Sequence, residues 1–190
     1  MNVCVYGASS NKLAESYLTA GRAMGRAIAD RGWGMVYGGG GNGMMGAAAR
    51  GMTDGGGTII GVVPSFLQVD GVLYDACTEM IYTDNLRDRK QVMDDRSDAF
   101  VILAGGVGTF DEFFEVLTLR QLGRHARPIG LLNTNGYFEP LLELLRHAVA
   151  EGFVKQSVLS YLQVSEDPEE LLTLMERHLG ETPKLDKDLG

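Results

Sequence analysis

Apolar and polar positions alternate in blocks along this chain, short apolar runs giving way to longer stretches with a helical repeat. The runs Val3–Tyr6, Met35–Tyr37, Thr58–Val63, Glu79–Tyr82, Phe100–Leu103, Ile129–Leu132 and Leu162–Val164 read as strands. Between most of them lie helical patterns at Lys12–Arg31, Met44–Asp54, Asn85–Ser97, Asp111–Leu122, Tyr137–Glu151 and Pro168–Leu179. In the first, Leu13, Tyr17, Ala20, Met24, Ala27 and Ile28 form a stripe near the 3.6-residue period, closed by Gly32. Strands separated by helices of this length must pair in parallel through crossovers. Continuously apolar central runs such as Val-Ile-Leu suit strands covered on both faces. The expectation is an α/β chain: a single-domain, Rossmann-like, doubly wound parallel sheet over residues 1–180, with a polar tail at 181–190.

In such a sheet ligands bind beyond the carboxyl ends of the strands. Three segments rich in small residues follow strands here: Gly7-Ala-Ser-Ser10, Gly38-Gly-Gly-Gly-Asn-Gly43 and Ala104-Gly-Gly-Val-Gly-Thr109. They belong on one rim. The third leads from an apolar run through a glycine bend into a helix start, an arrangement that gathers backbone N–H groups around an anion. Glu112 follows within the expected first turn. Thr109-Phe-Asp-Glu112 also fits a capping box, with Thr109 as N-cap and Glu112 reaching back to it, so cap and active-site carboxylate are both open readings.

Gly41-Asn-Gly-Met-Met-Gly46 matches G-x-G-x-x-G, but on the second strand rather than the first. The following strand ends Gly61-Val-Val-Pro64, without an acid for a ribose hydroxyl, which counts against NAD. No G-x-x-x-x-G-K-[ST] occurs. Glycines 38–41 serve either tight turns or close approach to a ligand. The entropy lost on ordering four of them favours the ligand. Arg87, Arg89 and Lys90 cluster where a helix begins; such runs are commonly solvated, yet cations at a helix N-terminus need an anionic partner.

The chain has 190 residues, with 17 Lys+Arg against 25 Asp+Glu and a net charge of −8, which argues against a nucleic-acid surface. It opens directly on a strand pattern, and no apolar run is long enough for a membrane span. Cys4 and Cys77 have no metal-type spacing, so a reducing cytoplasm is expected. His125, His147 and His178 are isolated, each in or beside an expected surface helix, and no metal site is expected. No cofactor is expected either.

The ordered set Gly38-Gly-Gly-Gly-Asn-Gly-Met-Met-Gly46, Arg89-Lys90, Ser97-Asp-Ala-Phe100 and Gly105-Gly-Val-Gly-Thr-Phe-Asp-Glu112 resembles the Lonely Guy (LOG) family, cytokinin riboside 5′-monophosphate phosphoribohydrolases. The likeness continues through Gln121-Leu-Gly123, Pro128-Ile-Gly-Leu-Leu-Asn133, Gly136-Tyr137 and Glu151-Gly-Phe153. The resemblance implies a Rossmann-like homodimer that hydrolyses the N-glycosidic bond of an adenine-type nucleoside 5′-monophosphate, giving free base and ribose 5-phosphate. It makes Arg89 and Glu112 catalytic. The substrate-binding positions expected with them are Ser9, Gly39, Gly40, Gly41, Asn42, Gly43, Met44, Lys90, Gly105, Gly106, Val107, Gly108, Thr109, Asp111 and Thr118. The chain departs from the family pattern at Ala104, where proline is usual, and at Leu86-Arg87-Asp88, where Met-His is usual. It also has no glutamate near 70–71. These last two differences fall near the base or ribose. General nucleoside monophosphate hydrolysis and non-catalytic nucleotide binding are the rival readings.

Overall fold

The computed structural model describes residues 1–69 and 71–183. Most of the polar tail expected at 181–190, residues 184–190, therefore lies outside the described residues, as does position 70. Seven strands form one parallel sheet: β1 (Asn2–Tyr6), β2 (Gly34–Tyr37), β3 (Ile59–Pro64), β4 (Glu79–Thr83), β5 (Ala99–Ile102), β6 (Ile129–Leu132) and β7 (Leu162–Ser165). Their order is β4-β3-β2-β1-β5-β6-β7. Every expected strand is present, each within two residues of its expected limits. Winding proceeds outward from β1 to one edge, then crosses back beside β1 to proceed to the other. That reversal opens a crevice beyond the ends of β1 and β5.

The helices are α1 (Glu15–Asp30), α2 (Gly43–Asp54), α3 (Leu86–Asp95), α4 (Val107–Gln121), α5 (Glu139–Ala150), α6 (Ser157–Ser160) and α7 (Pro168–Glu176). Two cores follow from the strand alternation. Val3 and Val5 face Met24, Ile28, Met44, Met52, Leu171 and Met175 of α1, α2 and α7. Cys4 and Tyr6 face the opposite layer with Met93, Phe113, Leu117, Leu142 and Leu145 of α3, α4 and α5. The short α6 has too few residues for a periodic signal. The first helix begins three residues later than its apolar pattern suggests. The Ser10 hydroxyl accepts from the Lys12 N–H, while Asn11 accepts from Gly43 N–H and donates to Asn42.

His125 departs from its expected surface setting. It is buried, with Nδ1 accepting from the Arg127 N–H, so that Nε2–H donates to the Val116 carbonyl at 2.9 Å. Burial pushes its pKa down to about 4. The unfolded chain holds a proton there at higher pH than the folded one. Its contribution is complete above pH 6.5 and declines as pH falls toward about 4. His125→Phe should flatten the loss of thermal stability across that window.

The first two helices touch through small residues. A Cβ at Gly25 would overlap the Ala48 carbonyl oxygen, and one at Gly51 would overlap the Arg22 carbonyl oxygen. Backbone cannot rotate aside as a side chain can. Gly25→Ala should therefore lower stability by about 2 kcal/mol by overpacking, although Ala is the better helix former by about 1 kcal/mol. Urea unfolding measures the difference.

Candidate active site

A cleft of about 680 Å³ opens at the crevice between β1 and β5. Its walls come from loops that follow four strands: Gly7–Ser10 after β1, Gly38, Gly40 and Asn42 after β2, Leu67 after β3, and Gly106–Thr109 after β5. Arg89 of α3 and Glu112 of α4 complete it. Leu67, Val72, Leu73 and Leu86 supply an apolar rim.

Arg89 and Glu112 form an ion pair at 2.7 Å between Nη1 and Oε1, with side chains only 13% and 11% exposed. The guanidinium is held from behind, since Nε donates to the Val62 carbonyl at 3.1 Å. Its Nη2 lies against Gly38, where a Cβ would come within 2.5 Å of it. Burial raises the Glu112 pKa above the usual carboxylate range, and the charge of Arg89 opposes that rise without cancelling it. A carboxylate of this kind is a better base near neutrality than a solvated one.

The glycine loop delivers the other half of the site. Helix α4 starts at Val107 with Gly106 as N-cap, and no side chain caps it. The N-cap and first-turn N–H groups of a helix have no intrahelical carbonyl. Gly106, Val107 and Gly108, which carry three of these groups, are exposed and line the cleft. No neighbour would touch a Cβ at Gly106 or Gly108, so space lies open beside these amides. This early start overturns the capping-box reading. Thr109 is a buried third residue of the helix rather than its cap, and Glu112 lies in the second turn, paired with Arg89. Gly, Val and Thr are poor helix formers, which hid the start from a propensity argument.

Of the expected site residues, Ser9, Gly40, Asn42, Arg89, Gly106, Val107, Gly108, Thr109 and Glu112 line the cleft. The others lie behind or beside it. Gly39 and Gly43 have positive φ. A Cβ at Gly39 would overlap Val63, and one at Gly43 would crowd the Ala8 and Ser10 carbonyls, so both are needed for backbone geometry. The N–H groups of Gly41 and Gly43 are already donated, to the Val72 carbonyl and to Asn11. Met44 is wholly buried in the core. Gly105 sits behind the loop, accepting from the Tyr137 hydroxyl. Lys90 bridges Asp111 at 3.2 Å and Glu115 at 2.5 Å on the outer side of α3 and α4, where Thr118 is also exposed.

The run of cations at the start of α3 thus splits by role. Asn85 caps the helix through its side chain, which accepts from the Arg87 and Asp88 N–H groups. Arg89 turns inward to Glu112 while Lys90 stays outside. The small-residue segments after β1 and β2 place Gly7, Ala8, Ser10 and Gly38 on the ligand rim from sequence, whereas Met45, Val63, Pro64, Leu67, Val72 and Leu73 were not marked as lining residues. Leu67, Val72 and Leu73 sit in the connection between β3 and β4, where no sustained periodicity marks a facing direction, while Leu86 opens α3.

The family described as "Possible lysine decarboxylase" matches residues 45–175. The cytokinin riboside 5′-monophosphate phosphoribohydrolase LOG of Oryza sativa subsp. japonica is 36% identical, covering 94% of this chain and 74% of its own. The enzyme of that name from Rhodococcoides fascians is 44% identical over 77% of this chain and 74% of its own. Among solved structures, the molybdenum cofactor carrier protein of Chlamydomonas reinhardtii superposes with a TM-score of 0.71, at 25% identity over 95% of this chain and 98% of that one. The family description does not suit the cleft in one respect. A pyridoxal-phosphate decarboxylase needs a lysine amine to hold its cofactor, and no described lining residue is lysine.

Removing the positive charge beside Glu112 should move its titration further upward, because Arg89 is the chief force holding it down. Carbon-13 NMR of the Glu112 carboxyl in wild type and Arg89→Met measures this; an unchanged midpoint contradicts the pairing.

Proposed function

The chain belongs to the LOG family, that of the phosphoribohydrolase relatives and of the "Possible lysine decarboxylase" description, and on that footing we propose that it hydrolyses the N-glycosidic bond of an N6-substituted adenosine 5′-monophosphate. One observation carries the proposal: a nearly buried Arg89–Glu112 pair beside an uncapped helix start. The products are the free base and ribose 5-phosphate.

The 5′-phosphate is taken by the amides of Gly106, Val107 and Gly108, aided by the positive end of the α4 dipole. Fixing that remote group orients the ribose over Glu112. As the C1′–N bond breaks, its electron pair leaves with the base and positive charge develops on the sugar. The Glu112 carboxylate stabilises that charge and takes a proton from the water that adds to C1′. The departing base takes up a proton from solvent, and Glu112 returns the one it received, so that water is divided between the sugar and the base. Arg89, pinned to the Val62 carbonyl, fixes the carboxylate's orientation and favours its ionised form against burial. The apolar rim of Leu67, Val72, Leu73 and Leu86 favours an apolar N6 substituent over plain AMP.

We assign the working form to a homodimer, with the outer faces of α3 and α4 as its interface. Lys90, Asp111 and Thr118 lie on those faces, and Phe114 of α4 and Leu122 at its end are exposed. The compartment is the reducing cytoplasm, in keeping with two free cysteines. Among the described residues no helix is long and apolar enough to cross a membrane.

Incubation with isopentenyl-AMP should release isopentenyladenine and ribose 5-phosphate faster than AMP releases adenine. Equal rates indicate a general nucleosidase, and binding without product indicates a carrier. Glu112→Gln and Arg89→Met should each lower kcat/KM at least about a hundredfold, the scale of losing a positioned base or electrostatic partner. Wild-type turnover in Glu112→Gln overturns the mechanism. Size exclusion should give an apparent mass twice that of the 20.6 kDa chain.

A further inference from the structure

We propose that Tyr137 is a positioning residue that holds the Gly105–Gly106 peptide with its N–H turned toward the anion. This inference rests on the phosphate placement above. The Tyr137 hydroxyl donates to the Gly105 carbonyl. Carbonyl and N–H of one trans peptide point in opposite directions within a rigid plane, and no cis peptide occurs among the described residues. Gly105 and Tyr137 line a small cavity behind the loop, with Ala8, Leu13 and Tyr17, whereas Gly106 also lines the main cleft. A carbonyl drawn back into the rear cavity therefore leaves the Gly106 N–H facing forward.

The latch is needed because the peptide lies between two glycines. Glycine on both sides leaves the peptide without side-chain restriction on its dihedrals; a Cβ on Gly106 would meet no atom within 4 Å, whereas one on Gly105 would overlap Thr109. A flipped peptide would present the Gly105 carbonyl oxygen to the phosphate and repel it. The chain invests in placing the tyrosine. Asn135 and Gly136 adopt successive left-handed conformations, φ 55° and 68°. The first is uncommon for a residue with a side chain. The buried Asn133 holds this turn, its carbonyl accepting from Gly136 N–H and its side chain from Phe138 N–H at 2.7 Å. Tyr17 packs edge-on against the Tyr137 ring, which fixes its direction.

The test is Tyr137→Phe, which keeps the ring and removes the hydroxyl. Calorimetry with ribose 5-phosphate should show affinity reduced roughly three- to tenfold, the loss of one net hydrogen bond. Adenine, which carries no phosphate, should bind unchanged. In turnover the variant should show the loss mainly in KM. Proton–nitrogen NMR of wild type supplies a readout that needs no variant: the Gly106 amide should shift downfield on adding ribose 5-phosphate. Equal ribose 5-phosphate affinity in Tyr137→Phe and wild type, or an unmoved Gly106 amide in saturated wild type, overturns the latch alone. Failure of wild type to bind ribose 5-phosphate overturns the phosphate placement beneath it.

Discussion

Two charged groups taken nearly out of water must be supported on every side, and the Arg89–Glu112 pair sets that requirement for the rest of this site. The two residues come from helices that follow different strands, so their meeting depends on the sheet reversing its winding at β1. The Val62 carbonyl, in the second half of β3, fixes the guanidinium from below. The glycine loop after β5 starts α4 early enough to place Glu112 in its second turn, facing inward. Each support is backbone geometry. The ionic pair is as well placed as the sheet is regular.

Opposed forces on Glu112 connect this packing with chemistry. Burial alone would hold the proton on; the arginine alone would strip it off. Burial has the larger effect, so this carboxyl holds a proton more firmly than a solvated one would. The loop opposite shows the complementary arrangement, with exposed main-chain donors and no side-chain charge from its own first turn. The cleft thus separates a region suited to a dianion from one suited to a developing cation.

The architecture was legible because periodicity carries it. Runs such as Phe100–Leu103 have no polar face, and only a sheet covered on both sides accommodates them. The three small-residue loops were legible as a shared rim for the same reason. Their division of labour was not. The glycines after β2 read as a ligand cradle, yet Gly39 and Gly43 mainly satisfy backbone conformation and close packing. The start of α4 was obscured because Val107, Gly108 and Thr109 lack helical propensity and are held by tertiary structure. The inward turn of Arg89 and outward turn of Lys90 depend on carboxylates more than twenty positions away, beyond the reach of any local pattern.

Gly38 bears a consequence beyond its own loop. The volume a side chain would occupy there is filled by the guanidinium of a residue some fifty positions later. Substitution at either place is thus entangled with the other: a bulkier residue at 38 evicts the arginine from its seat, while a shorter one at 89 leaves a void that a larger neighbour can claim. Across descendants of this fold the two sites should drift together, and a chain found with a side chain at 38 has had to seat its cation elsewhere.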